Sequence, residues 1–168
     1  TQYNYNNIGI IYRNMGFPKK ALLNYQKCLE ISKSFYDTSK SIDSLLAKEM
    51  IYNSYVNIAT NFSSLKQYEK ALNYFNIAMS DHVRLKVDPD FAYAINEGIG
   101  SIYFKKKNFK KALVFYKNAL ENSRKYDKIV NTVKSLVHIG QSNFELKNYK
   151  IAKGNFEEAK FISVKVKS

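Results

Sequence analysis

Read against itself, the chain falls into register four times. The anchors are Ile8-Gly9…Tyr12…Ala21…Tyr25…Cys28, Ile58-Ala59…Phe62…Ala71…Phe75…Ala78, Ile99-Gly100…Tyr103…Ala112…Tyr116…Ala119 and Ile139-Gly140…Asn143…Ala152…Phe156…Ala159. In every copy the small residue after Ile precedes the Ala by 12 positions, and that Ala precedes the next small residue by 7. Self-similarity at a regular spacing dictates a repeat architecture. One unit of such an array cannot bury its apolar face alone, so stability comes from stacking on neighbours. Arrays of this kind build surfaces, which limits function as much as fold.

The composition fits helical units. With 45% hydrophobic and 15% aromatic residues among 168, the chain can bury a core. Two Pro and six Gly are too few for a turn-rich β architecture. No apolar run is long enough for a membrane span and no signal-peptide pattern opens the chain, so a cytoplasmic setting without membrane insertion is expected. A start at Thr1 without Met suggests a piece of a longer protein. Cys28 falls where Ala78, Ala119 and Ala159 stand in the other copies, so it reads as a small buried residue rather than a reactive thiol.

Apolar residues recur at three- and four-residue spacing, two amphipathic stretches per copy. Helices are expected at about 3–15, 18–35, 44–64, 68–84, 90–106, 109–125, 129–146 and 149–165. Gly16 can end the first and Pro18 suits the opening turn of the second. Asn108 and Asn148 stand where N-caps are needed. The small anchors mark the close crossing inside each hairpin. The row Tyr25, Phe75, Tyr116 and Phe156 is expected to fill the space between hairpins.

This pattern resembles the tetratricopeptide repeat, a helix–turn–helix unit of 34 residues. The resemblance covers residues 2–35, 52–85, 93–126 and 133–166, with Tyr5, Tyr55, Asn96 and Leu136 where the family usually has Trp. It implies an all-α, right-handed α-solenoid of four hairpins and eight antiparallel helices, forming a single repeat domain over 1–168. The Ala-to-Ala distances of 50, 41 and 40 exceed the standard unit. Such spacing is similar to that of kinesin light chains, spindle-orientation adaptors and bacterial peptide-sensing regulators, with the extra residues lengthening helices at the junctions. Ser39–Leu46 makes the first junction the longest. In the last copy Lys153 and Lys160 replace the leucine-type residues of earlier copies, as suits a polar capping repeat ending the array near Ser168.

The resemblance also implies that the first helix of each hairpin lines a concave groove. Its lining would be Tyr3, Asn6, Asn7, Ile10 and Arg13, then Asn53, Val56, Asn57, Thr60 and Ser63. The third copy would add Ala94, Glu97, Ser101, Phe104 and Lys105, and the fourth Lys134, Val137, His138, Gln141 and Glu145. Asn7 and Asn57 are equivalent positions. Their amides can hold an extended peptide backbone, or engage in solvent and interhelical hydrogen bonds. The terminal-carboxylate clamp of chaperone-binding members is matched only at Asn57, which argues against that ligand.

Little points to catalysis. The two histidines, His82 beside Asp81 and His138 before the Ile139-Gly140 anchor, are far apart in sequence. With one Cys they make no metal set of normal spacing, and no phosphate loop or nucleophile elbow is present. Acidic pairs such as Glu157-Glu158 and Asp88/Asp90 read as helix-surface charges. The expectation is a chain with no catalytic residues, no cofactor and no metal.

Charge leaves one competing reading. Of the net +13, residues 104–134 carry ten basic against two acidic side chains. Lys105, Lys106, Lys107, Lys110, Lys111 and Lys117 alternate there with Phe104, Phe109 and Tyr116, a pattern compatible with a polyanion such as nucleic acid. The aromatics hold packing positions of the repeat, however, and Lys20, Lys70 and Lys111 recur at one position, so a solvated face or an acidic protein partner fits better. The reading is therefore a non-catalytic protein- or peptide-binding scaffold, a sensory or adaptor segment of a larger regulatory protein, with nucleic acid as the alternative.

Overall fold

A computed structural model describes the backbone of residues 1–38, 43–85 and 89–165, and the side chains of 1–38, 46–80 and 91–165. Within them the chain forms eight α-helices and no strand: α1 (Gln2–Asn14), α2 (Pro18–Thr38), α3 (Asp43–Ser64), α4 (Tyr68–Leu85), α5 (Pro89–Lys105), α6 (Phe109–Lys125), α7 (Ile129–Glu145) and α8 (Tyr149–Lys165). They fall into two compact units, Thr1–Val87 and Asp88–Ser168. In the first, α1–α2 and α3–α4 are hairpins, and α3 packs on both α2 and α1. In the second, α5–α6 and α7–α8 repeat that arrangement, with α7 against α6 and α5. The side chains of Asp81, His82 and Asp90, the whole of Asp88, residues 39–42 of the first junction and the chain end at Ser168 lie outside the described residues.

The tight turn inside every hairpin is built the same way. At the position after the helix cap, Gly16, Lys66, Lys107 and Lys147 take φ of 78°, 59°, 58° and 64°. The next N–H then reaches back five residues: Phe17 to Tyr12 O at 2.8 Å, Gln67 to Phe62 O at 2.9 Å, Asn108 to Tyr103 O at 2.8 Å and Asn148 to Asn143 O at 2.9 Å. This left-handed closure satisfies carbonyls that a helix end would otherwise orphan. The turn between α6 and α7 uses it again, with Asp127 at φ 51° and Lys128 donating to Ser123 O. Asn108 caps α6 by accepting from Lys111 N at 3.1 Å. Asn148 instead gives its amide to Asn143 Oδ1 at 3.3 Å, because a polar side chain has replaced the aromatic found there in the other copies.

The Ile-Gly anchors have a more specific cause than a close helix crossing. A Cβ on Gly100 would stand 2.7 Å from Tyr116 Cδ1, and one on Gly140 2.7 Å from Phe156 Cε1. The aromatic row thus packs inward on its own hairpin as well as outward on the next, where Tyr116 meets His138 with ring centroids 5.0 Å apart. The recurring lysine has a reason too. Lys20, Lys70 and Lys111 lie over the rings of Tyr12, Phe62 and Tyr103 at 5.4, 5.6 and 5.2 Å, fastening the second helix to the first. Cys28 is fully buried, and burial pushes its thiol above the usual cysteine range.

The last hairpin differs from a polar cap. Lys153 and Lys160 flank an apolar concavity of about 510 Å³ lined by Phe144, Tyr149, Ala152 and Phe156. The expected polar face is present at those lysines and not between them.

Candidate functional site

The first helices of each hairpin bring several of the groove positions together. In the first unit, Asn57 of α3 donates from Nδ2 to Asn6 Oδ1 of α1 at 2.9 Å, while Arg13 Nη1 reaches Asn57 Oδ1 at 3.5 Å. Both ends of the Asn57 amide are therefore engaged between helices. One N–H and one lone pair remain for anything laid across them. Asn7 is exposed and takes no part in this tie, so the two equivalent asparagines do different things. Tyr3 is exposed, while Ile10, Asn53 and Val56 are half-buried. Thr60 spends its hydroxyl on Val56 O at 2.8 Å and Ser63 is buried, which turns both toward structure.

The second unit builds a polar point beside an apolar one. Glu97 Oε1 on α5 and His138 Nδ1 on α7 meet in a close polar contact. The partner oxygen, Glu97 Oε2, is shielded from water and makes no hydrogen bond among the described residues. Around this pair stand Tyr93 and Tyr116, both held above the ordinary tyrosine range by burial first and by the nearby Glu97 charge second. A hydrogen bond between Ser101 and Tyr116 works in the opposite direction. Glu97, Ser101 and His138, all groove positions, are thus joined through a tyrosine that the packing row supplied.

Two helical turns farther along the same stripe, Phe104, Gln141 and Glu145 line a cavity of about 420 Å³ together with Phe144 and Phe156. The step from Glu97 to Phe104 is about 10 Å at 1.5 Å per helical residue. That is the length of roughly three extended peptide residues. Ala94 and Val137 are half-buried, whereas Lys105 and Lys134 are exposed.

Tyr93, Tyr116 and Ser135 were invisible as site residues in sequence, since each sits at a buried repeat position. The one signal is chemical: the aromatic row carries Tyr at 25 and 116 but Phe at 75 and 156, and a buried hydroxyl seeks a partner.

The basic segment offers its aromatics to packing. Phe104 and Phe109 meet edge-to-face at 5.2 Å, and Tyr116 is buried. Lys111 is spent on Tyr103, while Lys107 forms the left-handed turn. Among the described residues no three His, Cys, Asp or Glu side chains gather into a metal-sized group, and no helix is long and apolar enough to cross a membrane.

Comparison with known proteins places these features. The family model of the tetratricopeptide repeat matches residues 3–35, 52–80 and 94–126, more than half of the chain. Among solved structures, aspartyl phosphate phosphatase F from Bacillus subtilis is similar with a TM-score of 0.86 at 18% identity, over 99% of this chain and 41% of that one. The apo form of RapI gives 0.83 at 20% identity, over 99% and 57%. BtubC from P. vanneervenii gives 0.80 at 18%, over 99% and 65%. The likeness at such identities is one of fold, and the chain spans less than two thirds of each of these structures.

Proposed function

Because the chain belongs to the tetratricopeptide-repeat family, we propose that it is a non-catalytic scaffold that holds a protein or peptide partner against the faces of its first helices. The observation that carries this reading is on the second unit. A fixed polar cluster at Glu97, Ser101 and His138 lies about two helical turns from a cavity lined by Phe104, Gln141 and Glu145. A few convergent polar groups beside an apolar hollow are what a recognition site needs. The segment that fits would place a hydrogen-bond donor or cation at Glu97 and an apolar side chain in the hollow. Helices that are already packed hold this geometry in advance, which lowers the ordering cost of binding.

In a larger cytoplasmic regulatory protein, such a module would serve as the sensory or adaptor part.

Selection of displayed peptides against the chain tests the reading. Binders that weaken tenfold or more on Glu97→Ala or Gln141→Ala, and survive charge reversal at Lys106 and Lys107, support it. Peptides indifferent to both groove substitutions overturn it. So does a partner that turns out to be generic DNA or RNA released by salt.

A further inference from the structure

Antiparallel connection puts the two turns inside the hairpins of the second unit, 106–108 and 146–148, at the same end of its helices, while the α6–α7 turn lies at the other. Packed neighbouring helices stand about 8–10 Å apart, so the two turns form one edge. The sequence loads that edge with one sign of charge. Residues 104–111 and 145–151 hold seven lysines, no arginine and a single carboxylate, Glu145. Lys107, Lys110, Lys147 and Lys150 are exposed, and no carboxylate pairs with any of them among the described residues. The backbone fixes two of the four at the tips, since Lys107 and Lys147 are the left-handed residues of their turns. At 0.1 M salt the screening length is about 10 Å, close to the spacing of the turns, so their lysines act on an approaching anion as one field.

The side chains on this edge select the kind of anion. Its rings are spent on each other, Phe104 against Phe109 at 5.2 Å and Phe144 against Tyr149 at 5.4 Å, so they are not offered to nucleic-acid bases as stacking platforms. Arginine, whose planar fork reads phosphates and bases two bonds at a time, is missing from the edge. Lysine is a compact charge on a flexible stem. It suits a surface whose charge is spread over many mobile headgroups rather than fixed at set positions.

We infer that this edge docks the second unit on an anionic lipid bilayer, with Lys107, Lys110, Lys147 and Lys150 among the headgroups. The contact is peripheral, because no helix among the described residues is long and apolar enough to cross a membrane. It engages turn lysines rather than the groove positions Glu97 and Gln141, so it stands apart from the peptide-binding reading. Each basic side chain near an anionic surface strengthens partitioning about fivefold, and four together supply a factor of roughly several hundred.

Co-sedimentation of the chain with phosphatidylcholine vesicles containing about 30% phosphatidylserine, at about 0.1 M salt, tests the inference. Binding is expected to be absent from pure phosphatidylcholine and to fall as salt rises. The variant Lys107→Glu/Lys110→Glu/Lys147→Glu/Lys150→Glu should keep its helical circular dichroism and lose about a hundredfold or more in vesicle binding. The variant Lys117→Glu/Lys125→Glu/Lys134→Glu/Lys160→Glu makes the same change in net charge at exposed positions away from the edge. It should lose less than about tenfold, because those charges lie beyond a screening length from the bilayer. Equal losses in the two variants would reduce the effect to net charge and overturn the inference. So would a chain that ignores the anionic vesicles, or one that binds a random-sequence DNA duplex more tightly than the vesicles through the same four lysines.

Discussion

The ring of Tyr25 occupies the space that a side chain on Gly9 would need: a Cβ there would stand 2.5 Å from Tyr25 Cε1. The same relationship joins Gly100 to Tyr116. Replacing a helical Gly by Ala ordinarily favours the helix by about 1 kcal/mol. Here the methyl must displace a buried ring, and overpacking of that kind costs roughly 1–3 kcal/mol. Gly9→Ala and Gly100→Ala are expected to destabilise by up to about 2 kcal/mol net in chemical unfolding. Gly140→Ala should cost less, because its neighbour Phe156 is partly exposed and has room to turn.

Lys107 holds φ of 58° at the α5–α6 turn, where the first hairpin has Gly16 at 78°. A non-glycine residue in the left-handed region carries a penalty of roughly 1–2 kcal/mol, and part of it is recovered because glycine loses more entropy on folding. Lys107→Gly is expected to stabilise by about 0.5–1 kcal/mol, and Gly16→Ala to destabilise by a similar amount. Thermal unfolding of the two variants checks the pair of opposite signs.

Much of this fold was legible before any coordinates. The eight helices begin and end within three residues of the spans expected from apolar spacing, because Gly16-Phe17-Pro18 and the polar Lys-rich turns punctuate the pattern strongly. The candidate site was legible only by position. Glu97 and His138 could be placed on one face, but their meeting depends on how α7 settles against α5, a tertiary distance with no local signature. Asn57 shows the same limit. Its residue type allowed either an amide toward a ligand or a bond between helices, and only the fold shows its polar ends turned to Asn6 and Arg13. The apolar end face was missed because Lys153 and Lys160 stand at its leucine-type positions, while Phe144 lies on the preceding helix, five positions before α8 begins.

Tyr25, Tyr52, Tyr93 and Tyr116 are all held above the ordinary tyrosine range of 10.0, each chiefly by burial. Burial favours the neutral hydroxyl, so the folded chain keeps these protons where the unfolded chain releases them. Stability is thus unaffected below the unfolded tyrosine range and falls as pH rises through it. Spectrophotometric titration of tyrosinate should show these four tyrosines resisting ionisation while the helices are intact. Their ionisation should come in a cooperative phase that coincides with loss of helical circular dichroism. Titration of all tyrosines in one phase with the helices intact would contradict the burial assigned to these four.

Cys28 is fully buried at the position that the other copies fill with Ala. Its thiol is pushed up by that burial, so little thiolate is present at neutral pH and no reagent has a path to it. Reaction with a thiol-specific disulfide reagent should proceed only through local opening, at a rate that becomes independent of reagent concentration. Cys28→Ala should fold normally and cost about 1 kcal/mol or less, the loss of one small buried group. Rapid stoichiometric labelling of the native chain would show that α2 does not close over this site.

The Asn57 tie lends itself to a substitution series, because its two ends ask for different chemistry. Asn57→Ala removes the donor to Asn6 and the acceptor for Arg13, and is expected to cost about 1–2 kcal/mol. Asn57→Asp forfeits the donor but offers Arg13 a carboxylate, and a charge-assisted hydrogen bond is roughly twice as strong as a neutral one. The Asp variant should therefore recover much of the stability lost in the Ala variant at low ionic strength. The recovery should shrink as salt screens a pair that is only part-buried. Denaturant unfolding of the three chains at two salt concentrations measures it, and equal stability of the Ala and Asp variants at low salt would show that Arg13 contributes nothing to holding α1 against α3.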